Sequence, residues 1–97
     1  MMNLRKLSEQ LNKVNGSFGA ISSYSSAVEA LKVRFEFPNE DEWELVCIGC
    51  SYIGGPTCWS NVDVNIGYLD DRKEHLLIED SKVSFRVICA DAKLESR

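Results

Sequence analysis

Leu4, Leu7, Leu11 and Val14 stand three, four and three residues apart, which puts all four on one side of a helix. Arg5, Lys6, Glu9, Gln10 and Lys13 fall on the other side. Asn3 suits the start as a cap, and Asn15-Gly16 suits the stop, because glycine accepts the left-handed conformation. The pattern predicts an amphipathic helix over residues 3–15. A helix of that length is not stable alone, so its apolar stripe must pack on the rest of the chain.

After Gly16 the period changes to 2. Residues 17–26, SFGAISSYSS, predict a weak strand or turn region, thin in large side chains. The next stretch is clearer: Leu31, Val33, Phe35 and Phe37 alternate with Lys32, Arg34 and Glu36, as in an antiparallel strand with one wet face. Residues 38–42, PNEDE, read as a turn. WELVCIGCSYI (residues 43–53) reads as one strand, ended by Gly54-Gly55-Pro56. Val62, Val64 and Ile66 alternate with Asp63 and Asn65, HLLI (residues 75–78) is a short apolar piece, and Val83, Phe85, Val87 and Cys89 oppose Lys82, Ser84 and Arg86. Alternating runs joined by turns favour antiparallel strands over βαβ crossovers. The predicted fold class is α+β: an N-terminal amphipathic helix followed by five or six antiparallel strands in one sheet or a small sandwich or barrel. Residues 1–97 read as a single domain, with no internal repeat and no low-complexity segment.

Composition adds limits. The 44% hydrophobic content, with two Trp, three Tyr and four Phe, is enough for a globular core. The basic start has no long apolar run behind it, so it does not read as a signal peptide, and no stretch approaches the roughly 20 apolar residues of a membrane span. The expected setting is the cytoplasm, where thiols stay reduced, so four cysteines do not imply two disulfides. Charge is uneven: residues 1–35 carry a net +3 and residues 36–97 a net −7, within a chain total of −4. An acidic chain without a Lys/Arg cluster is a poor ligand for nucleic acid. Neither nucleic acid nor a membrane is expected as a partner.

Candidate chemistry concentrates at Cys47-Ile-Gly-Cys50, with Cys58 and Cys89 further on. Zinc sites want four ligands, commonly two Cys-x₂-Cys pairs. Here there is one pair, and in an extended strand residues three apart project to opposite faces, so a shared metal needs a tight turn or bulge at Gly49. A redox pair needs a helix after the second cysteine, and Ser-Tyr-Ile-Gly-Gly-Pro does not open one. The expectation is therefore small, buried strand cysteines with no metal and no cofactor; a metal or thiol set of Cys47, Cys50, Cys58 and Cys89 is the alternative. His75, the single histidine, lies four and five residues beyond Asp71 and Asp70, and reads as a surface-loop residue rather than an acid–base catalyst. Trp59 reads as core. No Gly-x-Ser-x-Gly or phosphate loop occurs.

The most lopsided feature is acidic: Glu36, Glu40, Asp41, Glu42 and Glu44 crowd one turn, with Trp43 among them as a candidate anchor. The bland account is a solvated loop; the functional one is a patch, carried by Glu40, Asp41, Glu42 and Trp43, that steers a basic protein partner. These observations favour a small non-enzymatic interaction module, of which an inhibitor or immunity-type protein masking a basic partner is the concrete version. Self-association is compatible with it. The other classes are a zinc or thiol protein, and an enzyme or carrier with a cavity in the sheet, which patterning does not reveal.

Overall fold

The structure, a computed structural model, describes residues 4–39, 41–69, 71–72 and 74–96. The expected cap Asn3 and the acidic residue Glu40 lie outside them. The predicted helix is α1 (Leu4–Leu11), extended by a 3₁₀ turn (Asn12–Val14). It stops where expected: Asn15 is extended and Gly16 has φ +87°. Among the described residues no helix is long and apolar enough to cross a membrane.

Among the described residues nine strands follow rather than five or six: β1 (Phe18–Ser25), β2 (Ala30–Glu36), β3 (Glu42–Ile48), β4 (Tyr52–Gly54), β5 (Cys58–Trp59), β6 (Asn65–Tyr68), β7 (Leu76–Asp80), β8 (Phe85–Cys89) and β9 (Asp91–Ser96). They form two antiparallel sheets, ordered β5-β1-β2-β3-β9 and β4-β8-β7-β6, packed face to face and not closed into a barrel. The stretch expected to be one strand over residues 43–53 is two. The chain turns at Gly49, which has φ +68°, and moves from the first sheet to the second. Lys82 lies in a turn, so the last predicted run is shortened to β8. Val62 and Val64 are buried as expected but precede β6 instead of pairing in it.

Alternation decides what faces inward. Leu31, Val33 and Phe35 of β2 and Leu45 and Cys47 of β3 meet Leu76 and Ile78 of β7 and Phe85, Val87 and Cys89 of β8 in one core. Lys32, Arg34 and Glu36 point out, as the period demands. Leu7, Leu11 and Val14 join this core, because α1 packs against β6 and β9. The helix thus covers the side of the sandwich where those two edges meet. Reciprocal backbone bonds, Gly16 N–H to the Val62 carbonyl (2.7 Å) and Val62 N–H to the Ser17 carbonyl (3.0 Å), fix the helix–β1 link in place. Leu11→Ala should lower the unfolding free energy by about 3 kcal/mol through lost burial and a cavity. An unchanged denaturation midpoint would show that the helix does not contribute to the core.

The second crossover between sheets is the β4–β5 link, and Gly55 makes it possible. A Cβ there would lie 2.6 Å from both the Phe85 Cα and the Ser84 carbonyl oxygen, and φ is +108°. The backbones approach too closely for a side chain. The link ends where the Ile21 N–H donates to the Thr57 carbonyl (2.8 Å), and β5 then covers only Gly19 and Ala20 of β1.

Candidate functional site

Three of the four thiols converge. Cys47 on β3 and Cys89 at the end of β8 are fully buried and hydrogen-bonded through their side chains. The turn at Gly49 brings Cys50 back inward, where its thiol donates to the Cys47 carbonyl at 3.5 Å. Cys58 is elsewhere: it is exposed, paired with Ala20 on β5, which departs from the expectation of a buried strand cysteine. The four-cysteine set is therefore not assembled, and among the described residues no group of three or more His, Cys, Asp or Glu side chains is arranged to hold a metal.

Environment divides the thiols. The hydrogen bond to Cys89, with burial acting in the same direction, pushes the Cys47 thiol far up, while the same bond lowers Cys89. Burial, then the neighbouring Cys89, raises Cys50 above an ordinary thiol. Cys50 is thus a protonated, weakly nucleophilic group at neutral pH. Its raised value favours the folded state below the free-thiol range, and that contribution is lost as pH rises through it. With a chromogenic disulfide reagent at neutral pH, one thiol per chain should react quickly, and Cys58→Ser should abolish that phase. Fast reaction of two or more thiols in the native protein would contradict this placement.

Trp59, expected in the core, is buried, and its indole N–H donates to Asp80 at 3.0 Å. Asp80 is 1% exposed and accepts two further donors, the Asp63 N–H at 2.9 Å and the Lys82 N–H at 3.2 Å. This carboxyl group is fully used in joining three segments.

The acidic residues do not form one surface with Trp43. Glu42 and Glu44 point outward from β3, while Trp43, paired with Phe35, lies on the inner face and packs against the core under the Lys13 ammonium (5.7 Å). Arg34 answers part of the negative charge, pairing with Glu42 at 2.7 Å and Glu36 at 3.6 Å. Glu36, Asp41 and Glu42 frame a recess of about 290 Å³ beside Phe37. His75 is half-buried, its carbonyl accepting the Leu69 N–H at 2.9 Å; Asp71 is exposed, and Asp70 is outside the described residues.

One concavity is marked by no sequence signal. Opposite α1, the side of the sandwich between β1 and β4 stays open over part of its length, leaving a groove of about 420 Å³. Ile21, Leu31, Cys50 and Ile53 supply apolar floor and walls, and Tyr24 and Tyr52, 47% and 51% exposed, stand at its mouth. Cys50 holds this end together, its N–H donating to the Glu29 carbonyl in the β1–β2 turn at 3.0 Å. Gly54 lets the Tyr52 ring lie back across β4, since a Cβ there would fall 2.5 Å from the Tyr52 hydroxyl. None of the lining residues is charged. No protein-family model, curated protein or solved structure matches this chain.

Proposed function

We propose that this chain is a small, non-enzymatic interaction module and that it binds through the groove between β1 and β4. The observation that carries the reading is the groove's lining. It offers apolar surface and two tyrosines, but no carboxylate, imidazole, ammonium or guanidinium group, and its single thiol is held protonated. Such a surface is suited to take up a partner's side chains rather than to move protons. Tyrosine is a frequent interface anchor because it contributes large area at low entropy cost. A cytoplasmic setting, in which the buried thiols stay reduced, belongs to the same reading.

A second reading rests on the acidic recess, framed by three carboxylates, of which Glu36 and Glu42 pair with the Arg34 guanidinium. There the chain masks a basic partner, in the manner of an inhibitor or immunity protein, and charge acts mainly on the association rate.

One comparison separates the two. The tagged protein, its Tyr24→Ala/Tyr52→Ala variant and its Glu40→Gln/Asp41→Asn/Glu42→Gln variant are used to capture partners from the source cells, and affinity is measured for what the parent retains. The tyrosine variant should bind at least tenfold more weakly, about the loss of one hot-spot side chain, and the charge variant should keep its affinity. Loss confined to the charge variant would move the binding surface to the acidic recess. Equal binding by all three would remove both surfaces from consideration.

A further inference from the structure

We infer that the occupant of the groove is an extended, uncharged peptide strand of a partner protein. It pairs by its main chain with the open edge of β1 at Ser22–Ser25 and places an apolar side chain between Tyr24 and Tyr52. The inference rests on the groove being the binding surface and specifies what fills it.

The backbone supplies the first argument. β1 has eight residues, but on the groove side β5 pairs with Gly19 and Ala20, and Thr57 takes the Ile21 N–H. Among the described residues no strand lies against the edge of Ser22–Ser25, and all four of these residues are exposed. β4, across the groove, is likewise paired on one side alone, with β8. An unpaired edge presents a row of N–H and C=O groups that another strand can complete.

The side chains supply the second. Edges that must stay single are usually guarded by charge or proline. The β9 edge follows this rule: Asp91, Lys93 and Glu95 punctuate it, and α1 packs beside it. The β1 edge is Ser-Ser-Tyr-Ser, with neither. Its one irregularity is the register shift between Ile21 and Ser23, after which pairing with β2 resumes at Ser23–Lys32, Tyr24–Leu31 and Ser25–Ala30. From Ser23 onward the open stretch is therefore a regular ladder on its covered side, with Ser22 as the bulged residue at its start.

Charge and area choose between occupants. In a chain of net charge −4 the groove is lined by seven uncharged residues, so a charged segment would lose its hydration there without gaining a partner. Seven residues are also far fewer than the roughly 20–30 per side of a stable protein–protein interface, which weighs against a second copy of this chain seated here. Four residues of open edge span about 13 Å, the length of one short strand.

The test selects ten-residue peptides from a random display library against the full 97-residue chain. Enriched peptides are resynthesised with and without N-methyl groups on alternate amides, in both phases. Uncharged, alternating sequences should emerge. They should shift the amide resonances of Ser22–Ser25, bind at least tenfold more weakly to Tyr24→Ala, and lose at least tenfold when one phase of amides is methylated. Peptides that need Tyr24 and Tyr52 but tolerate both methylation phases would overturn the strand and leave the groove standing. Peptides indifferent to Tyr24→Ala and Tyr52→Ala would overturn both. A selection that enriches nothing would overturn the strand, and so would a sedimenting dimer dissolved by Tyr52→Ala, which would make the occupant a second copy.

Discussion

Replacing Asp80 by alanine is expected to lower the unfolding free energy by about 3–4 kcal/mol, because the donors it serves lose the acceptor they share. The carboxyl group is 1% exposed and accepts from the Trp59 indole, the Asp63 backbone and the Lys82 backbone. Those donors belong to β5, to the stretch before β6 and to the β7–β8 turn, so one side chain ties both sheets and a connection together. Alanine leaves the indole and Asp63 N–H groups buried or half-buried and unpaired, and desolvating an unpaired donor is the costly half of a hydrogen bond. Asp80→Asn keeps one acceptor oxygen but turns an NH₂ group toward backbone donors, so it should fall between alanine and the parent. For a chain of this size the alanine variant should lose roughly 15–25 °C in thermal midpoint. A fall of only a few degrees, with the Trp59 fluorescence of the native state unchanged, would mean that water replaces the carboxyl group and that the joint is not structural.

The inward position of Asp80 follows from the period. Leu76, Ile78 and Asp80 share one face of β7. An apolar alternation that continues onto an acid at a strand end marks either a solvent-facing terminus or a buried acceptor. The donors decide which, and two of the three come from residues 17 and 21 positions earlier in the chain. The same distinction runs through the fold. β2 was legible because its charged residues stand at every second position, β8 because Phe85, Val87 and Cys89 do, and α1 because its leucines keep helical spacing. β5 was not, since two residues have no period. β9 does alternate, Ala92 and Leu94 inward against Asp91, Lys93 and Glu95, but it holds two apolar residues and resembles a charged tail.

The candidate sites were less legible than the fold for a related reason. Cys47 and Cys50 share a face because Gly49 adopts φ +68°, while Cys89 joins them through the packing of two sheets. Spacing along one strand carries no information about the second event. Trp43 illustrates the opposite case: it is flanked by Glu42 and Glu44, and period 2 places it on the face they avoid. The groove depends on where β5 stops pairing with β1, a property of the β4–β5 link and of Gly55. The sole trace of it in the chain is the run of small polar residues around Tyr24, which reads as a weak strand because nothing in it is built to be covered by this chain's own side chains.

Phe85→Ala should be as damaging as the loss of Asp80, at about 4 kcal/mol. Phe85 is 1% exposed and stacks on Trp59 with ring centroids 4.4 Å apart and planes inclined by 30°. Truncation removes the burial, opens a cavity between the sheets and takes away the surface that holds the indole flat. The cavity has little scope to collapse, because the Phe85 backbone is itself pressed by Gly55 and its strand is paired on both sides, with β4 and β7. Phe85→Leu keeps most of the volume and should cost less than half as much. The two large effects are not independent, since both act on Trp59: Phe85 fixes its face and Asp80 its N–H. A Phe85→Leu/Asp80→Asn double-mutant cycle, chosen so that every corner folds, should therefore show a coupling of about 1 kcal/mol. Strict additivity of the two chemical-denaturation free energies would mean that the indole keeps its place when either partner is weakened, and that the two sheets are joined here by separate contacts instead of through one tryptophan.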